Sequence, residues 1–219
     1  MLESKTNDLL TFDPVFKLDT LESPTVLQRK RPVKREIRDL RRKQSAAEAL
    51  DGWGKSLDVY GFTKGQFSVI NLIEAAIAYT GLVDITFSTW TAAKVDVASV
   101  IRFVESGQCR SARFLVDLTF QRRSPELAKR IRDVFGGDSI RVGQNHAKFF
   151  MLRNDDWSVF CQTSMNLNFN PRFENFTIAN DPELCDFHSV IFDEIWTRQK
   201  RSLADKRPSE ISRHFNESM

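Results

Sequence analysis

Two short polar sequences, His146-Ala147-Lys148 and Ser164-Met165-Asn166, carry the residue types that chemistry at a phosphate requires. A histidine offers a nitrogen that titrates near neutral pH, and a lysine offers a fixed positive charge for the non-bridging oxygens. In each sequence the polar residues stand two apart, so on an extended backbone they share a face. Taken alone, such a histidine–lysine pair is more often a surface feature, and a turn rich in Ser and Asn more often caps its own backbone. The chain between them changes the weighing. Residues 146–152 and 157–162 read as apolar strands, and Arg153-Asn154-Asp155-Asp156 reads as the hairpin turn that joins them. The return strand brings Ser164 and Asn166 back beside His146 and Lys148, so four polar side chains converge at one sheet end.

The elements that must position this cluster are legible as an alternation. Phe67, Ile70, Ile73 and Ile77 stand at helical spacing, and Gly81 closes that helix. Residues 83–87 form a β-branched and aromatic run, read as a strand. A helix over about 93–106 follows, ended by Gly107; then a strand over 112–118, a helix over 124–135 with Ser124 as N-cap and Pro125 at its first position, and a strand over 139–142. Strand–helix alternation with short connections predicts an α/β domain with helical crossovers. After the hairpin come a strand over 176–179 and a closing helix over about 182–200 that turns Phe187, Ile191, Ile195 and Trp196 inward. The expected organisation is an N-terminal arm over 1–59, a folded domain over 60–200 and a polar tail over 201–219.

Composition fits one core: 219 residues, 41% hydrophobic and 28% charged. No apolar run approaches the roughly 20 residues of a membrane helix. The N-terminus, with Glu3, Asp8 and Asp13, lacks the basic-then-apolar shape of a signal peptide, so a cytoplasmic location is expected. Cys109, Cys161 and Cys185 fit no metal-ligand spacing and read as small apolar fillers; no metal is expected. The net charge of +3 hides an asymmetry, because Arg29–Lys43 holds nine Lys or Arg against two acids, a local +7 that leaves −4 for the rest. This stretch predicts a helix from about Lys34, thin in apolar anchors.

Read together, the pieces resemble the phospholipase D superfamily, whose motif is HxK, a short hairpin, then G-S-x-N and a downstream acid. The matching stretch is HAKFFMLRNDDWSVFCQTSMNLNFNPRFENFTI, residues 146–178. The arrangement is similar to that of small bacterial and phage nucleases with one such motif per chain. The resemblance implies a mixed β-sheet flanked by helices, here with a basic N-terminal extension. It also implies that His146 attacks phosphorus to form a phosphohistidine, that Lys148 and Asn166 hold the non-bridging oxygens, that Ser164 supports them, and that Glu174 orients a histidine. No cofactor or metal is implied. The mechanism needs a second histidine as general acid, and His188 and His214 lack the HxK context, so a homodimer is implied. Two departures bear on activity: Arg153 stands where an acid is expected five positions after the lysine, and Thr163 replaces the glycine before the serine.

The superfamily acts on several kinds of phosphodiester, so substrate rests on other residues. Arg29, Lys30, Arg31, Lys34, Arg35, Arg38, Arg41, Arg42 and Lys43 favour a polyanion, which points to nucleic acid as partner, DNA ahead of RNA, rather than a membrane. The same run could instead be a solvated arm. Phe149, Phe169 and Phe173 could stack on bases, though such positions are more often core. The rival to a nuclease is a catalytically degenerate nucleic-acid-binding protein of the same fold. A lipid phosphodiesterase would require an exposed apolar lip that the sequence does not show.

Overall fold

The computed structural model of the chain describes residues 32–39, 45–169 and 171–199. It contains an eight-stranded mixed sheet. The strands are β1 (Lys34–Asp39), β2 (Leu57–Thr63), β3 (Val83–Thr89), β4 (Cys109–Asp117), β5 (Ile140–Gly143), β6 (Phe149–Arg153), β7 (Ser158–Thr163) and β8 (Glu174–Asn180). The helices are α1 (Ala46–Ala49), α2 (Val69–Thr80), α3 (Lys94–Glu105), α4 (Leu118–Arg123), α5 (Pro125–Phe135) and α6 (Pro182–Arg198). The spatial order is β1-β2-β8-β7-β6-β3-β4-β5. Pairing is parallel for β1/β2, β3/β4 and β4/β5, and antiparallel through the middle.

The helices form because local signals agree with the packing. Ser68 and Asn71 make a reciprocal capping box at the start of α2, satisfying orphan N–H groups. Asp181 accepts from the Leu184 N–H and Pro182 opens α6, which fixes the turn out of β8. Ser124 stands at the N-cap of α5 but makes no side-chain cap bond there; Asp117 caps the preceding α4 instead. The larger core lies on the sheet face covered by α2, α3 and α5, around Phe114, Phe120, Phe150, Phe176 and Ile73. The smaller core lies on the other face, where α6 sets Cys185, Phe192 and Ile195 against Leu115, Phe149, Met151 and Phe160. Ile195 is an inward residue of α6 as its spacing implies, while Ile191 and Trp196 pack at the margin and Phe192 supplies the centre. All three cysteines are free and buried.

Two readings of the N-terminal half need correction. The segment from Lys34 is a strand, not a helix. It has too few apolar positions to make a helical stripe, but a strand needs none, because it docks on the edge of β2 through backbone hydrogen bonds. The sheet also begins before Tyr60, where apolar periodicity rises, since β1 and the first three residues of β2 precede that residue. No helix among the described residues is long and apolar enough to cross a membrane.

Candidate active site

The topology gathers one end of the sheet. The C-terminal ends of β2, β3, β4, β5 and β7 and the N-terminal ends of β6 and β8 all lie there. His146 and Lys148 belong to the segment that crosses from β5 to β6. They were expected inside a strand, but the ladder starts only at Phe149. Side chains hold the crossing instead. Asn145 is buried, and its Nδ2 donates to Leu115 O (3.1 Å), Thr89 O (3.3 Å) and Ser88 Oγ (3.1 Å). Its Oδ1 accepts from Ala147 N–H at 3.1 Å, and Ser88 Oγ donates to Ala147 O at 3.0 Å. Ala147 is thus clamped through both backbone groups, with His146 and Lys148 on either side. Nothing in the sequence singles out Asn145 or Ser88, whose partnership spans 57 residues.

Lys148 Nζ lies 3.3 and 3.4 Å from the two ring nitrogens of His146 and donates to the His146 carbonyl at 2.8 Å. The ammonium can donate to whichever ring nitrogen carries the lone pair and still has protons for a ligand oxygen. Burial pushes the Lys148 amine below the ordinary lysine value, and the Glu174 carboxylate opposes that shift. The return strand joins here through Thr163 N–H to Lys148 O (3.0 Å). One residue on, Ser164 Oγ donates to Glu174 Oε2 and accepts from Asn175 N–H at 3.0 Å. Four of the residues picked out by sequence, His146, Lys148, Ser164 and Glu174, therefore stand together. Asn166 occupies the same loop but joins no side-chain bond with them, and its Oδ1 is buried without a partner among the described residues. The loop is braced from β3 and α3: Leu167 N–H donates to Thr89 Oγ1 (3.1 Å), Ala93 N–H donates to Leu167 O (2.8 Å), and Asp96 accepts from the backbone of Phe169.

Neither departure from the motif brings its side chain into contact with His146, Lys148, Ser164 or Glu174 through a hydrogen bond. Thr163 turns its hydroxyl into the fold, donating to Asn175 O (2.8 Å) and accepting from Met165 N–H (3.0 Å) and Gly65 N–H (3.2 Å). Gly65 itself has φ +81°, and a Cβ there would come within 2.6 Å of the Pro171 backbone, so glycine lets this loop press against the approach to Glu174. Arg153 ends β6 at the opposite edge from His146. Its guanidinium pairs with Asp186 (2.8 Å) and donates to Ser189 (3.2 Å), tying the hairpin to α6.

The aromatic readings divide. Phe149 is core at 9% exposure, whereas Phe169 and Phe173 are 52% and 65% exposed. Trp90, which follows β3, sits with its ring 6.0 Å from that of His146. Arg123, the last residue of α4, lies over that indole at 4.3 Å. Of the basic segment, Lys34, Arg35 and Arg38 are in β1, and Arg29, Lys30, Arg31, Arg41, Arg42 and Lys43 lie outside the described residues. Lys34 pairs with Glu36, while Arg38 pairs with Glu36 and donates to Ala49 O and Asp51 O. Arg35, 4.0 Å from Asp58, has a largely exposed side chain. His188 is on α6, its ring against those of Phe149 and Phe160 and its Nδ1 2.8 Å from Leu184 O. Among the described residues no group of three or more His, Cys, Asp or Glu is placed to hold a metal ion.

No protein-family model matches the sequence, and no curated protein matches it. Solved structures do match. The chain is similar to a polyphosphate kinase from Porphyromonas gingivalis at TM-score 0.51 and 12% identity, over 74% of this chain but 30% of that one. It is also similar to Nuc, a phospholipase D family member from Salmonella typhimurium, at TM-score 0.46 and 18% identity over 65% of this chain and 95% of that one. NucT from Helicobacter pylori aligns at TM-score 0.39 and 10% identity, over 58% and 88%. At these identities the likeness is one of fold.

Proposed function

We propose that this chain, which has the phospholipase D-like α/β fold, is a phosphodiesterase that cleaves nucleic acid at His146. The observation that carries the reading is the convergence of His146, Lys148, Ser164 and Glu174 on one sheet end, with the ammonium of Lys148 against the imidazole. A ring nitrogen of His146 attacks phosphorus; the new P–N bond forms as the P–O bond to the leaving oxygen breaks. Lys148 donates to the non-bridging oxygens where negative charge accumulates, and the Asn166 amide is in the loop that can reach the same oxygens. Ser164 and Glu174 hold that loop against β8. A water then attacks the phosphohistidine, releasing the phosphomonoester and the free imidazole.

The leaving oxygen needs a proton. The described residues offer His188 alone as a second histidine, and it is packed against Phe149 and Phe160 on the α6 face of the sheet. The economical donor is His146 of a second copy, facing the first across a two-fold axis. The basic segment supplies attraction for a polyanion, with DNA ahead of RNA. A binding protein without turnover is the rival reading, and its sequence basis was Arg153 and Thr163; both have structural duties outside the cluster.

The test is incubation of wild type and His146→Asn with supercoiled plasmid and a labelled single-stranded oligonucleotide in low salt with excess EDTA. Cleavage by wild type alone is the expected result. Equal cleavage by both proteins, or none by wild type, would overturn the assignment.

A further inference from the structure

At the site end of the sheet, β8, β7, β6 and β3 are consecutive neighbours, so the residues at their ends form an ordered row. Phe173 and Glu174 stand at β8, Ser164 at β7, Lys148 and His146 at β6, and Trp90 just beyond β3. The polar cluster is in the middle and an aromatic ring stands at each end. Three strand spacings separate the ends, roughly 14 Å, a reach that suits a few nucleotides of an extended strand.

Each end is built as a stacking platform. Phe173 lies parallel to Phe62 of β2, centroids 5.6 Å apart and planes 10° apart, and Phe173 is 65% exposed. A flat ring already stacked on one side and open on the other can take another ring on its open face. At the opposite end Trp90 is 37% exposed and carries the Arg123 guanidinium at 4.3 Å. At the Phe173 end an exposed arginine, Arg172, is the preceding residue in the chain. Aromatic faces alternating with cations on both sides of a phosphate-binding centre are the features that hold single-stranded nucleic acid, because bases stack while the cations follow the backbone. A base within a duplex presents no free face, so such platforms discriminate against paired substrate.

We propose, resting on the phosphodiesterase reading above, that the substrate is single-stranded nucleic acid whose bases on the two sides of the scissile phosphate stack on Phe173 and on the Trp90–Arg123 pair. The strand then crosses the row from β8 to β3 with its phosphate over His146 and Lys148. Apolar surface at Phe62 and Phe173 is thereby assigned to bases rather than to a second copy of the chain, because Phe173 immediately precedes Glu174 at the site end of β8.

The experiment measures binding by fluorescence anisotropy on full-length His146→Asn, so that turnover does not enter. The probes are a single-stranded oligonucleotide, the same strand with abasic residues in place of several bases, and its duplex. Tighter binding of the intact strand than of either other probe is expected, by about fivefold or more per stacked base. Adding Phe173→Ala or Trp90→Ala should erase most of the difference between intact and abasic strands, and Phe173→Tyr or Trp90→Phe should restore it. Indifference of the wild-type aromatic set to base removal, duplex bound as well as single strand, or alanine variants that keep the full difference would each overturn the proposal. So would a Phe173→Ala chain that sediments as a monomer where its parent is a dimer, which would make the pair an interface between copies. Absence of cleavage by wild type in the EDTA assay would instead strike the underlying phosphodiesterase reading.

Discussion

At the residue scale, the proposed chemistry depends on Lys148 being charged where burial disfavours the charge. Its amine is held below the ordinary value of 10.5, mainly by desolvation, with Glu174 pulling the other way. A lysine with a lowered value loses its proton earlier as pH rises. The alkaline limb of kcat/KM should therefore fall at lower pH than an unperturbed lysine would set, and Glu174→Gln should move that limb lower still while cutting the rate about tenfold, as loss of a supporting partner does. A limb that stays in place in Glu174→Gln would show that Lys148 does not set it. Asn145→Ala should cost about 2–3 kcal/mol in chemical denaturation, because it leaves Leu115 O, Thr89 O and Ala147 N–H unsatisfied. The convergence of His146, Lys148 and Ser164 was legible in the sequence because a spacing of two matches an extended backbone and the hairpin returns one segment to the other. Asn145 was not, since a single asparagine carries no periodic signal and its partners are distant in the chain.

At the element scale, the hairpin of β6 and β7 separates chemistry from anchoring. In the proposed reaction the His146 end acts on substrate, while the Arg153 end grips α6 through Asp186 and Ser189. Restoring an acid by Arg153→Asp should therefore give no gain in turnover and should lower stability by about 1 kcal/mol, as an exposed ion pair is replaced by two neighbouring acids. Thermal melts and initial rates of the purified variant check both parts; a rise in rate would return Arg153 to the site. Most helices and central strands were legible because periodicity, caps and glycine stops agree. The segment at β1 was not: its charge run resembles a helix face, and only the free edge of β2 makes it a strand. The short α4 was also hidden, since its six residues are set by the Asp117 cap rather than by any apolar stripe.

At the scale of the whole molecule, α6 closes the second sheet face, and His188 is part of that packing. Burial pushes the His188 imidazole below its ordinary 6.5, with the bond to Leu184 O opposing. The folded state thus prefers the neutral ring, so the stability contributed is full above about pH 6.5 and declines as pH falls through the folded value. The melting temperature should drop by a few degrees across that mildly acidic window, and His188→Leu should flatten this part of the curve. The two-fold arrangement proposed for the second histidine predicts a sedimentation mass of twice 25.3 kDa for the active species. A fully active monomer would remove the second copy from the mechanism.

The central claim is that His146 attacks phosphorus, and the most direct measurement is capture of what that attack forms. Wild type mixed with a single-stranded oligonucleotide radiolabelled at its internal phosphates, quenched in alkali within a turnover and digested, should yield a labelled phosphohistidine peptide containing His146, absent from His146→Asn. Turnover without any adduct at His146, or an adduct on another residue, would contradict the account.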